Sequence, residues 1–309
     1  MGTPDKVISY RGRFAPSPTG PLHFGSLVAA VGSYLDARHH GGEWLVRMED
    51  LDPPREVPGA ATDILHTLEH YGMTWDGEVL YQGRRSTHYQ EALERLDADG
   101  RLYGCACTRK EIADAALPGQ GGNIYPGTCR DGLPDGRKAR TLRIRVEDTG
   151  VNFDDGLQGR TCQQLDREVG DFVVRRADRL AAYQLAVVVD DAAQAISHIV
   201  RGADLLDSTP RQIYLQRLLG LPTPAYRHLP VAVNAIGEKL GKQTGAPAIG
   251  AADPVSVLLD VLQFLQQDTP ESGAATSLET LWAWAIERWD NTRLQATRTR
   301  AAPAGYRGG

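Results

Sequence analysis

A loop between a strand-like run and a helix gives the strongest chemical signal in this chain of 309 residues. Residues 11–26 read RGRFAPSPTGPLHFGS, so a segment rich in proline and glycine leads directly into a helix whose first residues are small. The start of a helix presents unpaired N–H groups and a partial positive charge, and together these favour a bound phosphate. We therefore predict a phosphate site at His23 and Gly25. The alternative is a rigid turn in which His23 only begins the helix.

A second loop contains two lysines among glycines. Residues 236–247 read IGEKLGKQTGAP, with Lys239 and Lys242 three positions apart. Taken alone, both side chains would be interpreted as solvated loop lysines, because lysine is mostly exposed in folded proteins. Their interpretation therefore depends on what the first loop does.

Three of the four cysteines are close together in the sequence, at positions 105, 107 and 129. This spacing favours an intracellular metal site over a disulfide framework in a chain of this length. Three thiolates leave one ligand missing for a tetrahedral structural zinc. Such a zinc would order the surrounding segment and would not take part in chemistry. The alternative is three unligated cysteines; Cys162 stands apart and is expected to be a buried free thiol.

The elements around the first loop form a recognisable unit. Val7 to Phe14 suits a strand, a helix is expected from about Gly25 to His40, and EWLVRMEDLD at 43–52 reads as a second buried strand with acidic residues at its end. Strand, glycine-bearing turn, helix and strand make a βαβ unit, which joins parallel strands. The chain is thus predicted to begin with half of an α/β nucleotide-binding fold.

The remaining elements follow in a fixed order. Two amphipathic helices are expected within 57–100, and irregular and antiparallel β structure between 102 and about 179. The runs at 180–192 and 196–206 look like strands, and the next helix has Thr209 as its N-cap, Pro210 at N1 and Gln212 at N3. Helices are predicted at 253–267, started by Asp253 and Pro254, and at 277–289. The last residues, from 297 on, are expected to be frayed.

Composition excludes some classes of protein. The hydrophobic fraction of 41% and the charged fraction of 24% are ordinary for a globular protein. No apolar run approaches the roughly 20 residues of a membrane-spanning helix, and the N-terminus lacks a signal core. We expect a cytoplasmic protein without a membrane partner, and a monomer. The net charge of -5 argues against a broadly basic RNA-binding surface but allows a local one.

The two loops together resemble a known family. RFAPSPTGPLHFGS is similar to the signature of the class I glutamyl- and glutaminyl-tRNA synthetases, with HFGS in place of their HIGH-type motif, and KLGK at 239–242 is similar to their KMSKS-type motif. The resemblance implies an α/β class I synthetase-type Rossmann nucleotide-binding fold with a zinc-bearing insertion and a C-terminal helical domain. The corresponding boundaries are 1–101 and 181–233 for the two Rossmann halves, 102–180 for the insertion, and 234–309 for the KMSKS-type loop and helical domain.

The resemblance narrows to the short paralogues of this family. RMEDLDPPREVPGA, AYQLAVVVDDA, IVRGADLL and KLGKQTGAPA are similar to their sequences, and only about 67 residues follow Lys242, too few for an anticodon-binding domain as well. These paralogues activate glutamate with ATP and Mg²⁺ without needing tRNA, and transfer it to the queuosine base in the anticodon of tRNA(Asp). Two alternatives stay open: an enzyme that esterifies the terminal ribose of a tRNA, and a non-catalytic paralogue that binds RNA or nucleotide.

Roles for individual residues follow from the same resemblance. His23 and Lys242 would be catalytic. The ATP-binding residues would be His23, Gly25, Ser26, Lys239 and Lys242. The glutamate site would be lined by Arg13, Phe14, Ala15, Pro16, Ser17, Glu49, Tyr183 and Arg201. The zinc ligands would be Cys105, Cys107, Tyr125 and Cys129. Without the resemblance, Arg13 and Arg201 could be surface ion pairs and Tyr183 a core aromatic.

One position departs from the family pattern. Gly241 stands where the second motif usually has serine, which removes a hydroxyl and is expected to loosen the loop. The consequence could be slower activation, or only a hydrogen bond made elsewhere.

Overall fold

The first half of the fold is a parallel βαβ unit. A computed structural model of the chain describes residues 10–115, 117–119, 122–148, 150–241, 244–271 and 277–307. β1 (Arg11–Phe14) leads through the proline-rich loop into α1 (Phe24–His39), and β2 (Glu43–Met48) follows. β1 and β2 pair in parallel, with Arg11 opposite Glu43 and Phe14 opposite Val46. The predicted βαβ unit is confirmed; residues 7–9 of its first strand lie outside the described ranges.

Helix α1 is the central element of this half. Eleven of its sixteen residues are buried. So large a buried fraction shows that other elements cover the helix on more than one side. It contacts the strands β1 and β2 and also two helices near the C-terminus, α8 (Pro254–Phe264) and α9 (Leu278–Arg288). Both helices were predicted, and the Asp253 side chain caps α8 by accepting a hydrogen bond from the Ser256 N–H.

The rest of the first half is helical with one short strand. The elements are α2 (Ala60–His70), β3 (Leu80–Tyr81) and α3 (Ser86–Ala98). β3 pairs in parallel with β2 and completes a three-stranded sheet of order β1-β2-β3. The two amphipathic helices predicted within 57–100 are confirmed.

The segment between the two halves is antiparallel β structure with two short helices. Its elements are β4 (Leu102–Cys105), α4 (Arg109–Ala115), β5 (Leu117–Gly119), β6 (Gly122–Ile124), β7 (Thr141–Ile144), β8 (Gly150–Asp155), β9 (Gly159–Gln164), α5 (Leu165–Glu168) and β10 (Val173–Arg175). The strands form one sheet of order β10-β7-β4 and two hairpins, β5-β6 and β8-β9. Cys162 on β9 is exposed, so the expectation that its thiol is buried is wrong.

The α/β pattern then resumes, but part of its prediction is wrong. The elements are α6 (Tyr183–Ala193), β11 (His198–Gly202), α7 (Thr209–Leu218) and β12 (Ala225–Leu229), and the two strands pair in parallel. Residues 180–192 were predicted as a strand, yet most of them form helix α6. The valines at 187–189 favour a strand in isolation, but burial along several sides of this helix removes the polar stripe that would have identified it.

The predicted start of α7 is also wrong. Ser208 occupies the N-cap and no side chain caps the helix, so Thr209 is its first helical residue. The Thr209 hydroxyl and the Gln212 amide oxygen instead accept hydrogen bonds from Arg201. The residues that resembled a capping box therefore hold a buried guanidinium.

The described part of the C-terminal tail packs against the rest of the chain. β13 (Val231–Val233) pairs in parallel with β14 (Thr299–Ala301). The Tyr306 ring stacks on Phe24 at 4.3 Å, and its hydroxyl donates to Asp260 at 2.7 Å. The expectation of a frayed tail is wrong up to residue 307, because strand pairing and a stacked aromatic ring fix the segment. No helix among the described residues has the length and apolar content to cross a membrane.

A buried carboxylate on α1 joins this helix to three segments that are distant in the sequence. Asp36 on α1 is 1% exposed. It accepts hydrogen bonds from Tyr10 before β1, from Arg227 on β12 at 2.7 and 2.8 Å, and from Trp289 after α9 at 2.9 Å. Although burial alone would raise it, the pKa of Asp36 is lowered by Arg227 and these donors. Asp36 is therefore charged at neutral pH and links four segments.

We predict that Asp36→Asn lowers the free energy of unfolding by about 3 kcal/mol or more, because it removes the buried charge that pairs with the partly buried Arg227 guanidinium. Urea unfolding followed by circular dichroism measures this change. Asp154→Asn is the matched control, since Asp154 lies 3.9 Å from Arg160 with both side chains largely exposed; its expected cost is below about 0.5 kcal/mol. Equal losses in the two variants would contradict the role of Asp36.

Candidate active site

Twelve of the thirteen residues predicted to bind ATP or glutamate line one cleft. The cleft has a volume of about 790 Å³ and opens between the first loop, the ends of β2 and β11, and the second loop. Among the predicted residues that line it are Arg13, Phe14, Ala15, Pro16, Ser17, His23, Gly25, Ser26, Glu49, Tyr183, Arg201 and Lys239. Lys242 lies outside the described residues, so its predicted position in the cleft stays a prediction.

The start of α1 is shaped by a reciprocal cap. The His23 Nδ1 atom accepts a hydrogen bond from the Ser26 N–H at 3.3 Å, and the Ser26 hydroxyl oxygen accepts one from the His23 N–H at 2.8 Å. A neutral ring that accepts at Nδ1 carries its proton on Nε2, which gives a donor of the kind that a phosphate oxygen accepts. A Cβ at Gly25 would lie 3.2 Å from the His23 ring, so glycine preserves this arrangement.

A buried acid between two arginines supports one side of the cleft. Asp191 on α6 lies 3.1 Å from Arg13 Nε and 2.8 Å from Arg47 Nη2, and all three side chains are at most 4% exposed. Although burial alone would raise it, the pKa of Asp191 is lowered by the guanidinium groups of Arg47 and Arg13. Arg13 thus lines the cleft while the Asp191 carboxylate partly balances its positive charge.

Glu49 places a carboxylate at the end of β2. Its backbone N–H donates to the Pro16 carbonyl at 2.9 Å, which ties the strand end to the first loop. Its carboxylate lies 3.6 Å from Arg47 Nη2, and the side chain is 10% exposed. Burial raises the pKa of Glu49, while Arg47 and Arg13 oppose that rise. A cation entering the cleft would find here a poorly hydrated carboxylate.

Arg201, at the end of β11, is held on two of its three nitrogens. Its Nε donates to His228 Nε2 at 3.0 Å, and its Nη2 donates to Thr209 at 2.9 Å and Gln212 at 2.7 Å. Its Nη1 is buried and has no hydrogen-bond partner within the described part of the chain. A guanidinium with one unused donor beside a cleft is suited to a carboxylate.

Tyr183 begins α6 and lines the same cleft. Burial and the nearby Glu49 raise the pKa of Tyr183 to about 12. The hydroxyl is therefore protonated at neutral pH and can donate a hydrogen bond.

The second loop is fixed by two polar contacts. Lys239 Nζ lies 2.5 Å from Asp204 Oδ2 in an exposed ion pair. The Gly241 N–H donates to the Thr244 hydroxyl oxygen at 2.9 Å, so a neighbouring side chain supplies a hydroxyl where the family motif has serine. A Cβ at Gly241 would meet no heavy atom of the described residues within 4 Å.

The cysteine cluster lies apart from the cleft. The sulfurs of Cys105, Cys107 and Cys129 lie within 4.8 Å of one another. The Tyr125 hydroxyl lies 3.4 Å from Cys105 Sγ and 3.7 Å from Cys107 Sγ, and the Cys107 and Cys129 sulfurs are 3.6 Å apart. The four side chains that the sequence predicted as a set are therefore gathered at one point.

Several residues that build the site were missed by the sequence analysis. Asp191 and Arg47 do not touch the cleft directly, and His228 and Asp155 act behind Arg201. Asp191 is one of two adjacent acids in VVVDDA, and His228 lies in RHLP. Nothing in these short sequences indicates that the fold brings the two residues to Arg47 and Arg201.

Comparison with protein families identifies the catalytic region. Residues 9–251 match the family described as tRNA synthetases class I (E and Q), catalytic domain. A protein of Dechloromonas aromatica named glutamyl-Q tRNA(Asp) synthetase is 63% identical over 91% of this chain and 94% of its own length. A protein of Chromobacterium violaceum with the same name is 59% identical over 93% of this chain and 96% of its own length.

Solved structures agree on the fold. A glutamate tRNA ligase from Elizabethkingia meningosepticum, in complex with its amino acid, superposes with a TM-score of 0.77 at 24% identity, over 96% of this chain and 68% of that one. The glutamate-tRNA synthetase from Elizabethkingia anophelis gives a TM-score of 0.78 at 23% identity with the same coverage. The chain therefore belongs to the class I tRNA synthetases of the glutamate and glutamine type, a family of ligases, and within them to the glutamyl-Q tRNA(Asp) synthetases.

Proposed function

We propose that this protein activates glutamate with ATP in the absence of tRNA and transfers the glutamyl group to the queuosine base in the anticodon of tRNA(Asp). The names of its relatives support the substrate and the acceptor. The observation that carries the proposal is the combination, in one cleft, of a helix start suited to phosphate, a buried guanidinium with an unused donor, and a largely buried carboxylate.

The two chemical steps place different demands on the cleft. In the first, a carboxylate oxygen of glutamate attacks the α-phosphate of ATP, the bond to the β-phosphate breaks, and pyrophosphate leaves. In the second, an acceptor on the base attacks the activated carbonyl carbon and AMP leaves. The first step gains mainly from positioning and from stabilising charge on the phosphates. ATP enters as its Mg²⁺ complex, and the magnesium reduces that charge.

The proposed glutamate site follows from charge complementarity. Glutamate has one ammonium and two carboxylates, so the protein must supply one acceptor group and donors for two anions. Glu49 faces the ammonium, and Arg201 binds one carboxylate through Nη1. Arg13 and the Tyr183 hydroxyl are the further donors, and Phe14, Ala15, Pro16 and Ser17 form the wall.

The proposed ATP site lies at the start of α1. His23, Gly25 and Ser26 hold the triphosphate at the positive end of the helix dipole of α1. Lys242 neutralises the charge that grows as pyrophosphate leaves, and Lys239 has a weaker role because Asp204 already pairs with it.

We also propose that Cys105, Cys107, Cys129 and Tyr125 hold one structural Zn²⁺. A tetrahedron with zinc–sulfur bonds of about 2.3 Å and a zinc–oxygen bond of about 2.0 Å has sulfur–sulfur edges of about 3.8 Å and sulfur–oxygen edges of about 3.5 Å. The observed separations of 3.6 Å between two sulfurs and of 3.4 and 3.7 Å to the tyrosine oxygen agree with these edges. The pKa of the Cys105 thiol would be raised by burial alone, but hydrogen bonds from Tyr125 and Arg143 lower it to about 7. This lower pKa favours the thiolate that a metal needs.

The proposed enzyme works as a monomer in the cytoplasm, where ATP, glutamate and tRNA are present together. Light scattering from the purified protein tests the oligomeric state, and a dimer would contradict that part of the proposal.

Pyrophosphate exchange tests the proposed function directly. We predict glutamate-dependent exchange of labelled pyrophosphate into ATP with no tRNA present, followed by transfer of labelled glutamate to queuosine-containing tRNA(Asp) and not to the same tRNA without queuosine. Equal labelling of both tRNAs would favour esterification of the terminal ribose. Absence of exchange from folded protein would favour a nucleotide- or RNA-binding protein without activity.

The two lysines of the second loop can be separated by substitution. We predict that Lys242→Ala lowers kcat for pyrophosphate exchange by roughly 10²- to 10³-fold, because a charge that acts in the transition state is lost. Lys239→Ala is the matched control, with an expected effect below about tenfold. An equal effect of the two substitutions would contradict the assignment of Lys242.

Metal content tests the zinc proposal. We predict one zinc per chain by elemental analysis, loss of that zinc in Cys105→Ser, and retention of it in Cys162→Ser, because Cys162 is exposed and lies outside the cluster. Tyr125→Phe should weaken zinc retention against a chelator by roughly tenfold or more, since it removes one of four ligands. A cluster that binds no zinc, or a chelated protein whose melting temperature is unchanged, would contradict a structural zinc.

A further inference from the structure

Arg201 has only one donor nitrogen left for a ligand. Its Nε and Nη2 are bonded to His228, Thr209 and Gln212, while Nη1 has no partner within the described residues. The guanidinium group is planar and rigid, so fixing two of its nitrogens fixes the direction of the third. The residue that fixes the position of Arg201 Nε therefore also fixes the direction in which Nη1 donates.

The hydrogen bond at Nε requires one particular tautomer of His228. Arginine can only donate, so His228 Nε2 must accept and the ring proton must lie on Nδ1. Nδ1 lies 2.6 Å from Asp155 Oδ2, where a carboxylate can receive that proton as a hydrogen bond. The His228 side chain is fully buried, so no solvent competes for either ring nitrogen.

Asp155 is itself fixed by its own hairpin and by the backbone of β12. Its Oδ1 accepts hydrogen bonds from the N–H groups of Leu157 at 3.0 Å, Gln158 at 2.8 Å and His228 at 3.1 Å. These donors occupy Oδ1 and leave Oδ2 for the histidine ring. The hairpin of β8 and β9 thus sets the tautomer of a histidine that lies behind the cleft.

We propose that Asp155 and His228 are positioning residues for the amino acid: they hold Arg201 so that its Nη1 binds a carboxylate of glutamate. The chain of contacts runs from Asp155 Oδ2 through His228 Nδ1 and Nε2 to Arg201 Nε, and every member is buried. This inference rests on the proposed function, because it takes Arg201 as a glutamate-binding residue.

Two substitutions of His228 separate the two ends of the chain of contacts. Asparagine keeps a donor near the Nδ1 position for Asp155 but provides no acceptor at Nε2; glutamine places an acceptor near Nε2 but loses the contact with Asp155. In pyrophosphate exchange we expect His228→Asn to raise KM for glutamate by roughly tenfold or more, and His228→Gln to restore part of that loss. KM for ATP should change by less than about twofold in both.

A third substitution tests the tautomer. In Asp155→Asn, the amide oxygen is needed by the three backbone N–H groups, so its NH₂ group faces the histidine ring and Nδ1 must become an acceptor. The proton then moves to Nε2, opposite Arg201 Nε–H, and both partners become donors. We expect ¹⁵N NMR of histidine-labelled protein to show Nδ1–H at His228 in the natural protein and Nε2–H in Asp155→Asn, with a raised KM for glutamate.

Tyr214→Phe is the control for a general loss of stability. Tyr214 lies on α7, the helix that holds Arg201, and the substitution removes its partly buried hydrogen bond of 2.9 Å to the Arg145 carbonyl. Its KM for glutamate should stay unchanged. Equal KM values for glutamate in His228→Asn and His228→Gln, or an Nε2–H tautomer in the natural protein, would overturn the inference. Absence of glutamate-dependent exchange in the natural protein would instead overturn the proposed function, while the NMR result still decides whether the hydrogen-bond chain exists.

Discussion

Three buried guanidinium groups set the main physical constraint on this fold. Arg13, Arg47 and Arg201 are at most 5% exposed, and a buried charge is costly unless it is paired and hydrogen-bonded. Asp191 serves the first two, and a set of neutral acceptors serves the third. The residues that satisfy these arginines come from α6, α7 and β12, so the second half of the chain must fold against the first before the cleft exists.

The same constraint explains why the segment between the two α/β halves also supports the cleft. The hairpin of β8 and β9 reaches β12, where the Gly156 N–H donates to the Tyr226 carbonyl at 2.8 Å and Asp155 meets His228. The C-terminal tail acts in a similar way, because β14 pairs with β13, the strand that leads to the second loop, and Tyr306 stacks on Phe24, the residue that follows His23. Segments distant in sequence thus support both loops.

The sequence predicted the parts of the site that are local. The helix start at His23, the acid at the end of β2 and the cysteine cluster each lie within a short segment, where spacing alone restricts the geometry. The βαβ unit was equally predictable, since its periodicity and its glycines are local features. The resemblance to a family supplied the roles of Arg13, Tyr183 and Arg201, which spacing alone could not.

Long-range electrostatic partners were not predictable in this way. Helix α6 was taken for a strand because it is apolar on several sides, and the error hid Asp191 from view. Thr209 and Gln212 matched a helix-capping pattern, yet both accept hydrogen bonds from Arg201, because a buried guanidinium without acceptors is costly. The predictions of a buried Cys162 and of a frayed tail were wrong for a related reason. The exposure of a side chain and the pairing of a strand depend on residues that are distant in the sequence.

The central claim is that the cleft binds glutamate through the unused donor of Arg201 and the carboxylate of Glu49. A crystal structure of the protein with bound glutamate tests this most directly. We predict one carboxylate of the ligand within hydrogen-bond distance of Arg201 Nη1 and its ammonium beside Glu49, with the Arg201 contacts to His228 and Gln212 unchanged. Glutamate bound with neither carboxylate on Arg201, or with Arg201 released from His228, would contradict it.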